Sequence, residues 1–175
     1  MKCLTMIVEA DPSVLGRHDM QMGVNHSFLD HSTSVREAAV DLVGKFVLSR
    51  PELIDKYYEM LSNRILDTGV SVRKRVIKIL KDICIECPEF SKIPEICVKM
   101  IRRVNDEEGI RKLVMEVFQN MWFTPTKDTS LLRKVMNITD VVASSKDIGL
   151  EWFEQLLLSV SNKSRVETFH ETTIG

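Results

Sequence analysis

Cys84-Ile-Glu-Cys87 has the spacing of zinc sites and of dithiol redox centres, so it is the first place to look for chemistry in this chain. A structural zinc site needs two further ligands, and no second C-x-x-C or H-x-x-x-H supplies them. His18, His26 and His31 lie close together in sequence, yet they form no HExxH pair and have no Ser or Cys in a nucleophile elbow to activate. They read as surface or turn histidines. The phosphate-cradling patterns G-x-x-x-x-G-K-[ST] and G-x-G-x-x-G are absent, and the acidic residues are scattered singly with no spacing that selects an acid and base pair. Trp122 and Trp152 fall on apolar helix faces, where packing accounts for them more simply than ligand stacking. The sequence therefore predicts no enzyme, no metal, no cofactor and no small-molecule substrate.

Two groups of basic residues remain: Lys74, Arg75, Lys78 and Lys81, then Arg102 and Arg103. A formal net charge of -1 excludes a globally basic nucleic-acid binder, so any such binding must come from a local patch of this kind. What the patch can do depends on the elements that carry it. The 175 residues, 44% apolar and 28% charged, make one domain-sized unit able to bury a core. Few Gly and Pro among many Leu, Ile, Val, Lys and Glu favour helices over sheets. Cysteines without a regular framework, no signal-peptide pattern and no apolar run near membrane-span length suggest a reducing cytosolic or nuclear compartment.

The chain repeats itself. Val35, Val72 and Ile110 stand 37 and 38 residues apart, each followed by Arg and preceded by a polar turn beginning at Asp30, Asp67 or Asn105. Counting from these three residues, offsets +4, +5, +7, +8, +11 and +12 are apolar in every copy, from Ala39 to Val47 in the first and from Val114 to Trp122 in the third. At helical spacing they span a stripe roughly 160° wide, so each such helix must be covered on more than one side. An amphipathic helix precedes the later two, through Leu53, Ile54, Tyr57, Tyr58, Leu61 and Ile65 and through Ile93, Ile96, Cys97, Met100, Ile101 and Val104.

Helical hairpins at this period, with D-x-x-x-x-V-R ahead of the second helix, predict an all-α HEAT-repeat solenoid. Its repeats cover about 18–50, 51–87 and 92–123, with a further helix pair over 130–160 read as helices at 131–143 and 150–160. Residues 124–130 read as a loop, and 161–175 as a polar, fraying tail beyond a solenoid segment at 1–160. Pro51 and Pro94 mark starts of first helices, Pro88 follows a second helix, and Ser34 and Ser71 are the expected N-caps. Neither end carries an atypical polar cap, which suggests a segment of a longer protein.

On this frame the charges separate. Arg36, Arg73 and Arg111 take offset +1, inside the apolar stripe, and a buried arginine needs a partner. Asp30, Asp67 and Asn105 at the preceding turns supply one, giving a structural ladder from turn to turn. Lys74, Arg75, Lys78 and Lys81 instead fall at about 200°, 300°, 240° and 180°, opposite the stripe. That basic face, with Arg102 and Arg103 one repeat on, suits a phosphate backbone, an acidic protein partner, or solvent alone. The same face of the first repeat holds Glu37 and Asp41, so its charge belongs to one helix and is not required by the repeat.

Longer strings are more specific. DHSTSVREAAVDLVGKFV at 30–47, ILDTGVSVRKRVIKILKDICIE at 65–86, MIRRVNDEEG at 100–109, FQNMWFTP at 118–125, NITDVVA at 137–143 and EWFEQ at 151–155 closely resemble the HEAT-repeat region of the Nipped-B-like sister chromatid cohesion proteins. The resemblance implies a nuclear subunit that loads cohesin onto chromatin together with a smaller partner. It also implies contacts with duplex DNA and with cohesin subunits, and stimulation of an ATPase without nucleotide chemistry of its own. Two readings stand beside it, a purely structural segment that holds solenoid curvature and an adaptor for an acidic partner.

Overall fold

The computed structural model describes residues 2–124 and 131–173, with side chains described at 3–124, 131–145 and 150–161. The chain is all-α among the described residues: α1 (Lys2–Ala10), α2 (His18–Phe28), α3 (Thr33–Val47), α4 (Ile54–Asn63), α5 (Val70–Glu86), α6 (Ile93–Ile101), α7 (Glu108–Phe118) and α8 (Leu131–Thr173). They form two compact units, Met1–Phe90 and Ser91–Gly175.

In the first unit α2 and α3 make one hairpin and α4 and α5 the next, with α3 packed against α5. The apolar stripe is the reason: Ala39, Val40 and Val43 of α3 and Val72, Val76, Ile77, Leu80 and Ile83 of α5 are fully buried. Gly44 makes room for Ile79 of α5, since a Cβ there would lie 2.7 Å from Ile79 Cγ1. Pro51 opens a 3-10 turn ahead of α4, and α5 stops two residues before Pro88.

The expected serine caps are displaced. Ser32 and Gly69 are the N-cap residues, and Ser34 and Ser71 lie within the first turns. The aspartates do the work instead: Asp30 Oδ1 accepts from Ser32 N at 2.8 Å, and Asp67 Oδ1 from Gly69 N at 2.8 Å. These are Asx-turns, in which a short carboxylate ties down the backbone two residues on.

Tyr57 anchors α4 on the segment before α2. Its hydroxyl donates to the Leu15 carbonyl at 2.9 Å, and burial pushes the phenol up to about 12. Tyr57→Phe removes that donor and leaves the carbonyl unsatisfied, so the unfolding free energy measured in urea should fall by about 1–3 kcal/mol.

In the second unit α6 packs on α8, and α7 runs into a π-helical turn, Gln119–Phe123. The wider turn brings Trp122 against Phe118 and Trp152, with centroids 4.5 and 5.9 Å away. The sequence suggests a break between 143 and 150 and a polar tail from Ser161, but α8 is one helix to Thr173. Hydroxyls that would otherwise break it bond back along the helix, Thr139 Oγ1 to the Val135 carbonyl at 2.9 Å and Ser145 Oγ to that of Val141 at 2.7 Å. One face of α8 buries Val141, Trp152 and Leu156, while Leu131, Leu132, Val135, Met136, Leu150, Leu157 and Leu158 are exposed. Past Thr124, the loop expected at 124–130 lies outside the described residues, as do the tail's side chains from residue 162.

Candidate nucleic-acid interface

The buried arginines come first, because they hold the scaffold of the basic face. Arg36 is 7% exposed and Arg73 8%, as their place in the stripe requires. Each closes its own turn in the same way. Arg36 Nη1 donates to the carbonyls of Asp30 and His31 at 2.8 and 3.0 Å, and Arg73 Nη1 to those of Asp67 and Thr68 at 2.7 and 3.2 Å. The rest of the Arg36 fork reaches the following repeat, where Nε and Nη2 meet the two Asp67 carboxylate oxygens, both at 2.8 Å.

Asp67 also receives Arg64 Nη1 at 3.4 Å and the Gly69 N–H. Burial alone would raise its carboxyl, but hydrogen bonds from Arg36 and Gly69, with the Arg36 and Arg64 charges, outweigh it and hold the pKa below the usual carboxylate value. Asp30, by contrast, uses its carboxylate within its own turn. The ladder does not reach Asn105 and Arg111, and here the sequence expectation is corrected: both are exposed, and Arg111 has no ion pair among the described residues. Arg111 lies at the surface, where water solvates the guanidinium and no buried carboxylate is required.

The basic face of α5 is less uniform than its spacing implies. Lys78 is exposed and Lys74 half-buried, and neither has an ion-pair partner among the described residues. Arg75 turns towards α3, where its Nη1 meets Asp41 Oδ1 at 2.6 Å and its Nε stands 4.0 Å from Glu37 Oε1. Lys81 pairs with Asp82 at 2.9 Å. In the second unit Arg102 is exposed without an ion pair among the described residues, and Arg103 lies 3.8 Å from Asp106. The partners of Arg75 escaped sequence reasoning, although Glu37 and Asp41 stand at the same repeat offsets as Lys74 and Lys78 and so carried the signal.

Cys84 is buried and Cys87 half-buried with no disulfide between them, and His18, His26 and His31 are exposed. No group of three His, Cys, Asp or Glu among the described residues could hold a metal ion. No helix among them is long and apolar enough to cross a membrane.

Comparison with known proteins gives this surface its setting. A family model described as sister chromatid cohesion protein PDS5 matches residues 26–159, and one described as a HEAT repeat associated with sister chromatid cohesion matches 2–43. The Nipped-B protein of Drosophila melanogaster is 70% identical over 163 residues, covering 91% of this chain, and the human Nipped-B-like protein is 66% identical over 160, covering 90%. The chain belongs to the Nipped-B-like family of sister chromatid cohesion proteins. It spans only 8% and 6% of those two relatives. Among solved structures, the C-terminal fragment of the Chaetomium thermophilum cohesin loader SCC2 matches 89% of the chain with a TM-score of 0.77 at 31% identity, using 12% of its own length. The fold is thus the HEAT-type helical repeat of the Nipped-B-like family.

Proposed function

We propose that this chain is a non-catalytic segment of a nuclear cohesin loader, contributing a surface for duplex DNA and for cohesin while the smaller loader partner and the ring's ATPase lie elsewhere in the assembly. The carrying observation is on α5, where Lys74 and Lys78 follow one another on successive turns without a counter-ion among the described residues. Membership of a family with relatives named as sister chromatid cohesion proteins supports chromatin as the polyanion. Lys74 and Lys78 are the leading contacts. Arg75, Lys81 and Arg103 enter at a discount, because each already has an acidic neighbour, and Arg102 is a separate contact point.

The test is duplex-DNA binding by the folded chain across a salt series. Lys74→Glu with Lys78→Glu, at unchanged helicity, should flatten the log–log salt slope by about two units, since each phosphate contact contributes about 0.9. Equal, weak binding by parent and variant would favour the structural reading instead. That rival draws support from the intramolecular pairing of Arg75 and Lys81, which is how exposed charges on many helices are spent.

A further inference from the structure

Resting on that reading of α5, we propose that Glu37 and Asp41 form an acidic rail on α3 that marks the edge of the nucleic-acid footprint and holds Arg75 out of it. The argument begins with the repeat. Glu37 and Lys74 occupy one offset of their repeats, Asp41 and Lys78 another, and the helices that carry them pack together. The carboxylates therefore share the lysines' outer surface, one helix over. Packed helices run about 8–10 Å apart, close to the Debye length at physiological salt, so a duplex laid on α5 feels the charges of α3.

Arg75 lies between the two rows and is committed to the acidic one, through Asp41 at 2.6 Å and Glu37 at 4.0 Å. The pair is open to water, with side chains 42% and 50% exposed, so it is an electrostatic bias and not a rigid clamp. Its effect is to subtract one cation from the footprint and to repel phosphate from α3. A polyanion that would otherwise spread across both helices is confined to the Lys74–Lys78 line. Lys45, further along α3, is likewise taken up by Glu9 at 3.1 Å, so it adds little pull on that side.

The experiment compares duplex-DNA salt titrations of the full chain with Glu37→Gln plus Asp41→Asn, and with the same pair of changes plus Arg75→Gln. Releasing Arg75 should steepen the log–log slope by roughly one unit and tighten binding about threefold or more at low salt, and adding Arg75→Gln should return the slope to the parent's. A chain that binds through Lys74 and Lys78 but does not respond to the α3 changes would overturn the rail while leaving the α5 reading intact. A parent that fails to bind would sink the α5 reading. In that case binding that appears on removal of the carboxylates supports the rail, and continued absence of binding overturns it too.

Discussion

Asp67→Ala should lower the unfolding free energy by about 3–5 kcal/mol, the usual result of removing one partner from a buried ion pair. The Arg36 fork would remain in a site where its side chain is 8% exposed, facing a space from which two carboxylate oxygens had gone. The Gly69 N–H would lose its acceptor in the same step. Urea unfolding followed by far-ultraviolet circular dichroism reads the change. A loss under about 1 kcal/mol, the size expected of an exposed pair, would mean that the site admits water freely.

Acid should reproduce part of the effect in the parent chain. The Asp67 carboxyl is held below its ordinary value in the folded state, so it releases its proton more readily there than in the unfolded chain. Its contribution is complete above the unfolded pKa of about 4 and is lost as pH falls through the folded value. Arg36 adds no opposing titration, because hydrogen bonding to Asp67 raises a guanidinium that is already charged throughout this range.

Trp152→Ala should cost a comparable 3–5 kcal/mol in the second unit. The indole is 2% exposed and stands edge-on to Phe118, with centroids 4.7 Å apart, and to Trp122 at 5.9 Å. Trp152→Phe separates volume from polarity. The buried Trp152 Nε1 has no hydrogen-bond partner among the described residues, so phenylalanine removes an unsatisfied donor along with some volume, and the loss should be about 1–2 kcal/mol. Thermal and urea unfolding of the two variants distinguishes these outcomes, and equal losses would show that the N–H does have a partner in solution.

The hairpins were legible in sequence because the stripe at offsets +4 to +12 is a local signal that survives in every copy. The role of the turn aspartates was half legible. Their recurrence announces a function, but whether a carboxylate caps its own turn or pairs across to a preceding arginine depends on the distance between neighbouring turns, which only packing sets. Asp30 does the first and Asp67 does both. The exposure of Arg111 was hidden for the converse reason, since offset alone places it in the stripe and only its neighbours decide its burial.

The basic face shows the same division. Periodicity alone puts Lys74, Arg75, Lys78 and Lys81 on one side of α5. The engagement of Arg75 by Asp41 depends on the register between α3 and α5. Continuity of α8 went unseen because Ser145 and Thr139 satisfy their hydroxyls from carbonyls one turn back, a choice that composition does not reveal.

The span of the Arg36 fork has a consequence for how the first unit opens. One side chain ties the carbonyls of its own turn to the carboxylate of the next, so neither turn can loosen without releasing the other. In an array where each hairpin touches only its neighbours, such a tether acts as a coupling constant between adjacent units. The hairpins carrying Arg36 and Asp67 then open in concert, and their backbone amides exchange with solvent as a single cooperative block.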